Sequence, residues 1–275
     1  MGKRHEHPIL SKSNLFERMG PVYKLLVDEK ARARREAPLL LELADRARAI
    51  GVRRRRPVAA TPVLDLACGT GFHARLLAGA GFSALGLDFS ASMLDEARRR
   101  RVQGPGRVEY RRANLLEPLP VKKPAPLALL LGNTLSVFTA REERDLVMRN
   151  VAAVLCPGGL LLCQILNYRR LIERDNVTVT RHGRVRGRET ILTKVLQATE
   201  DGRVVLSMNS SQKNRAGEWE SASEVSVLNP LRPEELVESA RQAGLILESA
   251  WGDHAKSPFD ESSSVDAISL FHLGR

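Results

Sequence analysis

The chain has 275 residues, 43% hydrophobic and 27% charged, the make-up of a folded globular protein rather than of a disordered, collagen-like or membrane chain. Its longest apolar runs, residues 127–131 and 160–163, fall far short of the roughly 18 that cross a bilayer. The net charge of +11 raises the question of a polyanionic partner, but aromatics make up only 4% and offer few platforms for stacked bases. Solvated arginine faces are therefore expected, and a nucleic-acid surface is not.

The first residues, MGKRHEHPILSKSN, contain no apolar run of the signal-peptide kind, and Glu6 stands where a myristoylation signal has Ser or Thr. Cys68, Cys156 and Cys163 form neither a CxxC pair nor an even disulfide set, which reads as reduced, buried thiols. A cytoplasmic protein without a membrane partner is the expectation.

From Leu15 to Ala49 apolar residues recur at helical spacing, with Pro21 and Pro38 read as helix starts or breaks. GVRRRRPVAATP reads as a linker, so residues 1–56 form a helical lid with its linker. Short apolar runs then alternate with longer striped segments: strand 62–67, helix 72–80, strand 83–88, helix 91–101, strand 107–111, strand 127–131, helix 141–155 closed by Pro157 and Gly158, strand 160–166. That alternation predicts an α/β, doubly wound parallel sheet over residues 57–275. Between about 170 and 230 the period changes to two, in VTVT, ILTKVLQAT, RVVLSMNSS and SEVSVL, separated by turns at HGR, EDG and RAGE. This predicts an antiparallel insertion. Helix 233–243 and strands 245–250 and 265–273 complete the sheet.

In such sheets ligands bind beyond the carboxyl ends of the strands. VLDLACGTGF, residues 63–72, ends the first strand, and Gly69 and Gly71 allow close backbone approach to a ligand. A carboxylate four residues before Gly69, Asp65, would repel a pyrophosphate, so the loop suits a cationic or neutral ligand part. Asp88 ends the second strand where an acid accepts bonds from ribose hydroxyls. Ser90 is a plausible cap for the next helix, Met93 can line a flat base one turn in, and Asn114 can bond an adenine edge.

These residues together resemble the class I S-adenosylmethionine-dependent methyltransferases, over Tyr23 to the carboxyl terminus. The resemblance implies a seven-stranded Rossmann-like sheet and S-adenosyl-L-methionine as cofactor. It implies that Asp65, Ala67, Gly69 and Gly71 hold the methionine part, Asp88 the ribose, and Phe89, Met93, Asn114 and Leu115 the adenine. LLLGNTLSVF is similar to the L-G-N-S segment of glycine and sarcosine N-methyltransferases, which also carry an N-Y pair after strand five, here Asn167 and Tyr168. By that similarity Leu131 offers its carbonyl to the cofactor and Asn133 faces the acceptor. Tyr23 and an arginine of ARARRE, taken as Arg34, close the lid over the methionine carboxylate. The arginine that grips the acceptor's carboxylate in glycine-specific members is replaced by Leu166, which points to a larger, less anionic small molecule. Candidates for a base are Tyr168, His254 and Glu224; no metal set is present. The function implied is methyl transfer to a nitrogen or oxygen of a small-molecule acceptor. Three alternatives stay open: RNA or protein methylation through the arginine surface, a cofactor-binding partner subunit without activity, and, more distantly, a nicotinamide dehydrogenase. A homo-oligomer is compatible with the sequence.

Overall fold

The computed structural model describes residues 15–53, 62–173 and 176–274. In chain order the elements are α1 (Leu15–Tyr23), α2 (Glu29–Arg53), β1 (Val63–Leu66), α3 (Phe72–Gly79), β2 (Ser83–Asp88), α4 (Ala91–Arg98), β3 (Arg107–Arg112), β4 (Ala125–Leu130), a 3₁₀ turn (Thr134–Val137), α5 (Arg141–Ala153) and β5 (Leu155–Leu166). They continue with α6 (Tyr168–Ile172), β6 (Asn176–Val185), β7 (Arg188–Ala198), β8 (Val204–Lys213), β9 (Trp219–Leu228), α7 (Pro233–Gln242), β10 (Leu245–Trp251) and β11 (Asp266–Leu273).

Seven strands form one sheet in the order β3-β2-β1-β4-β5-β11-β10, with β11 antiparallel to both neighbours and the other pairs parallel. Strands buried on both faces need apolar residues at every position, and β4 shows why its run is unbroken. Leu127 and Leu129 pack with Leu39, Leu40 and Leu43 of α2 and Leu77 of α3, while Ala128 and Leu130 pack with Val147, Met148 and Val151 of α5. The strand order reverses at β1 and β4, so the crevice expected of such a sheet opens above their carboxyl ends.

A second, four-stranded antiparallel sheet in the order β6-β7-β8-β9 builds its own core. Leu192, Leu196, Val204, Leu206 and Met208 pack there against Met19 and Val22 of α1 and Tyr168 and Leu171 of α6. Helix α1 is fixed to the main sheet from the other side. Its Glu17 carboxylate accepts the backbone N–H groups of Ala91 and Ser92 at 3.1 and 3.4 Å, an acid placed at the positive start of α4. Ser90 caps α4 by accepting Met93 N–H at 3.1 Å, and its hydroxyl donates to the Phe16 carbonyl at 3.0 Å.

The structure corrects four local expectations. Pro21 and Pro38 lie inside α1 and α2 rather than at their boundaries. At Pro38 the lost N–H costs one backbone bond, and burial of Leu39, Leu40, Leu43, Ala44 and Ala47 outweighs it. Residues 51–53, read as linker, are the last turn of α2; residues 54–61 of that linker lie outside the described residues. Pro157 and Gly158 belong to β5, which starts at Leu155 by pairing with Ala125 before a register shift. HGR is strand, and the first hairpin turns at Arg186 and Gly187, whose φ of 50° and 80° suit a tight two-residue turn.

Among the described residues no helix is long and apolar enough to cross a membrane. In the arginine run after α4, Arg98, Arg99 and Arg100 pair with Asp95, Glu96 and Glu29. That charge is spent on acids of the chain itself.

Candidate active site

A cavity of about 380 Å³ lies above the carboxyl ends of β1, β2 and β4. Its walls come from β1 and the following loop (Asp65, Ala67, Gly69), the end of β2 (Asp88, Phe89), α4 (Met93), and the segment after β3 (Asn114, Leu115). Leu131, Asn133 and Leu166 close the far wall, α1 contributes Phe16, Glu17 and Tyr23, and the insertion contributes Lys194, Leu196, Leu206, Met208 and Leu228.

The loop after β1 is built from its hydrogen bonds. Ala67, Gly69 and Gly71 hold positive φ of 52°, 53° and 73°, which swings the chain out of the strand and into α3. Cys68 N–H donates to the Leu87 carbonyl at 3.0 Å and Gly69 N–H to Asp88 Oδ2 at 2.7 Å, so the loop is tied to β2. Asp65, 1% exposed, accepts the N–H of Ala74 at 3.0 Å. Its carboxylate thereby occupies the start of α3, the place a pyrophosphate takes in a dinucleotide site.

The two glycines divide the work. A Cβ on Gly69 meets nothing within 4 Å, and this residue lines the cavity. A Cβ on Gly71 runs into the Tyr110 ring, with the hydroxyl at 2.2 Å, and the same ring lies against Gly86, so it cannot retreat. Gly71 faces away from the cavity wall and is a packing residue. Both positions carry the left-handed cost of about 1–2 kcal/mol for a larger residue. Gly71→Ala adds steric overlap and is expected to unfold at markedly lower denaturant than Gly69→Ala, which keeps most of its stability and loses ligand affinity. Equal denaturation midpoints would contradict this division.

Three carboxylates, Glu17, Asp65 and Asp88, share the cavity wall with one donor-end cation, Arg32. Asp88 accepts Gly69 N–H and, at 2.9 Å, Ser90 N–H. Burial pushes its carboxyl pKa up to about 6, the charges of Asp65 and Glu17 add to this, and the two amides oppose it. Behind the wall, Glu36, 1% exposed, binds Arg32 Nε and Arg35 Nη2, each at 2.8 Å, and His73 Nε2 at 2.8 Å; His73 Nδ1 lies 3.8 Å from Asp65. Burial disfavours the imidazolium, but the bonds to Asp65 and Glu36 prevail and raise the His73 pKa.

Other expected site residues are placed differently. Arg34 is exposed, and Arg32 lines the cavity and stacks on Phe72, with 5.1 Å from guanidinium carbon to ring centre. Two residues turn a helix by about 200°, so the cavity-lining arginine lies on the opposite side of α2 from Arg34. Tyr168 is 4% exposed in the insertion's core and outside the cavity wall; its hydroxyl accepts Asn133 Nδ2 at 2.7 Å, and burial raises its pKa. His254 is also outside the wall, 3% exposed, with neither ring nitrogen bonded among the described residues and its pKa pushed down to about 4 by burial. Glu224 does not line the cavity either. Asn133 does, at a φ of 65°, with Oδ1 accepting Leu166 N–H at 2.9 Å and the Ser136 hydroxyl at 3.0 Å. Asn114 lines the cavity while its Oδ1 accepts Leu116 N–H at 3.0 Å in a turn. Sequence reasoning missed Phe16, Glu17, Phe72, Gln164 and Lys194. Of these Lys194 carries a signal, a lysine in phase with Leu192 and Leu196 along a period-two strand.

The donor set fits S-adenosyl-L-methionine: a buried acid for a ribose, apolar side chains for a base, carboxylates for a sulfonium and an ammonium, and one arginine for a carboxylate. Comparison with known proteins agrees. Residues 63–159 match the family model described as a methyltransferase domain. The chain is 37% identical over 110 residues to the demethylmenaquinone methyltransferase of Clavibacter sepedonicus, covering 39% of this chain and 42% of that protein. It is 31% identical over 118 residues to the glycine N-methyltransferase of Rattus norvegicus, covering 38% and 40%. The alignments thus span less than half of either relative. In fold, the CcbJ methyltransferase from Streptomyces caelestis superposes with a TM-score of 0.70 at 22% identity, over 96% of this chain and 99% of that one. Residues 63–159 thus match a methyltransferase domain, and the chain as a whole has the class I S-adenosylmethionine-dependent methyltransferase fold.

Proposed function

We propose that the protein transfers a methyl group from S-adenosyl-L-methionine to a nitrogen or oxygen of a small-molecule acceptor. The observation that carries this reading is a single cavity with two unlike ends. The donor end is acidic and bounded by the β1 loop, Asp88 and α4; the other lies between Asn133, Leu166 and the apolar face of the insertion. About 380 Å³ falls in the range of small-ligand pockets. The two curated relatives are named for methylation of small molecules.

The cofactor supplies an electrophilic methyl group on a sulfonium. In this reading Asp88 holds the ribose hydroxyls, Phe89, Met93 and Leu115 pack the adenine with Asn114 at its edge, and Leu131 offers a carbonyl. Asp65 and the loop at Ala67 and Gly69 set the charge around the methionine part, with Tyr23 and Arg32 above it. Asn133, held by Tyr168, Ser136 and the Leu166 amide, gives the acceptor a fixed polar contact, and Tyr168 acts as its positioning residue. The buried Tyr168 hydroxyl and the distant His254 leave catalysis to alignment and exclusion of water, worth up to about 7–11 kcal/mol in well-oriented reactions. The insertion and α1 roof the reacting atoms.

The test is formation of S-adenosylhomocysteine by the isolated protein against a collection of amines, phenols and hydroxy compounds. Turnover with one chemical class is the expected result. Tight cofactor binding with no turnover of any member would replace the reading with that of a non-catalytic cofactor-binding subunit.

A further inference from the structure

Strand β7 carries a side chain that its own pattern does not predict. Leu192 and Leu196 are buried in the insertion's core, and Lys194 lies between them on the same face. Its cross-strand neighbours are Val179 on β6 and Met208, 1% exposed, on β8. Lys194 lines the cavity together with Leu196, Leu206, Met208 and Leu228, and it forms no ion pair or hydrogen bond among the described residues. The acid on the same face, Glu224, stands opposite Met208, two strands away from Lys194, and outside the cavity wall. The carboxylates of the wall, Glu17, Asp65 and Asp88, belong to the donor end.

An ammonium held among leucines and methionine without a counter-ion among the described residues is costly, and burial is the cause that lowers its pKa. A neutral residue of equal length would fill the position at no such cost. The cost is recovered when a negatively charged ligand group reaches the ammonium in this low-dielectric chamber.

Resting on the methyltransferase reading, we propose that Lys194 anchors an acidic group of the acceptor, so that the acceptor class is an apolar molecule carrying a carboxylate beside the amine or hydroxyl to be methylated. This replaces the arginine anchor absent at Leu166 with a lysine from the insertion, and it reverses the expectation of a less anionic acceptor. A third cation brought beside a sulfonium and Lys194 would be repelled, which selects against purely cationic amines.

The experiment uses the full chain loaded with S-adenosylhomocysteine, titrated calorimetrically with matched pairs: aminobenzoates, hydroxybenzoates and apolar amino acids, each against its carboxamide. For at least one pair the acid should bind about tenfold or more tightly than the amide, and Lys194→Met should remove that preference while leaving S-adenosylhomocysteine affinity unchanged. Absence of any acid preference in the native protein, or its survival in Lys194→Met, overturns the proposal. So does an equal loss of turnover by Lys194→Met on acids and amides, the signature of a base. Failure of the native protein to bind S-adenosylhomocysteine at all would instead sink the methyltransferase reading. Because Lys194→Met keeps an unbranched apolar stem and removes the ammonium, thermal unfolding should show a stability equal to or above the native protein; a folded variant with lost cofactor affinity would place Lys194 at the donor end and overturn the proposal.

Discussion

Asp88→Ala is expected to weaken binding of S-adenosylmethionine by about 100-fold or more, since two hydrogen bonds to a charged group contribute about 1.5–3 kcal/mol each. Both oxygens of this carboxylate already accept backbone amides, from Gly69 and Ser90, and each keeps lone pairs for a ribose hydroxyl. The pH dependence gives an independent check. The pKa stands at about 6 against an ordinary 3.8, because burial and the neighbouring acids oppose ionisation. In the free protein the ionised form therefore opposes folding; that cost is absent below the ordinary value, grows as pH rises, and is full above about 6. A cation bound at this end offsets it. Cofactor affinity should be flat above pH 6 and fall toward a tenfold loss per unit below it, and the cofactor-induced rise in Tm should be larger at pH 7 than at pH 5. An affinity independent of pH from 5 to 8, or near-native binding by Asp88→Ala, would remove Asp88 from the site.

The second large effect concerns stability. Glu36 is buried on α2 with Arg32, Arg35 and His73 all within 2.8 Å, and it joins the lid helix to the start of α3. Glu36→Ala removes the carboxylate that the buried His73 and the half-buried Arg32 share, leaves His73 only the more distant Asp65, and is expected to cost about 3 kcal/mol in denaturant unfolding. A loss below about 1 kcal/mol would show that solvent replaces the carboxylate. Burial alone would raise the Glu36 pKa, but the His73 hydrogen bond and the Arg32 charge hold it at about 2 against an ordinary 4.5. Its contribution is present above 4.5 and is lost as pH falls toward 2. The His73 pKa is raised, so its contribution is complete below the ordinary 6.5 and is lost as pH rises through the folded value. The clamp is strongest between about 4.5 and 6.5, and Glu36→Ala should cost most in that interval.

The main sheet was legible because each strand is a short apolar run bounded by turn residues. The expected strand 83–88 coincides with β2, and the change of period near 170 marks the second sheet. Proline misled at Pro38, where the packing of five apolar side chains holds one helix through a missing backbone bond. The donor end was legible because β1, its loop and β2 are adjacent in sequence. The arginine that reaches the cavity wall is Arg32, two places before the expected Arg34, since helical phase across an irregular join is not fixed by spacing. His254 read as a pocket residue from its position after a strand, yet its loop turns it into the protein behind Glu36 and His73, whose charges it feels. The far end of the cavity draws on Asn133, Leu166 and the insertion from Lys194 to Leu228, segments that are separated in sequence and meet only in the fold.

Helix α1 has a part in each half of the molecule. Phe16, Glu17 and Tyr23 face the donor end, while Met19 and Val22 lie in the core of the insertion. One helix of nine residues is thus the joint between the cavity's acidic end and the insertion's core. A substitution made on its insertion face, at Met19 or Val22, is therefore also a substitution one turn or less from the cavity wall, and packing in one half of the molecule is coupled to shape in the other.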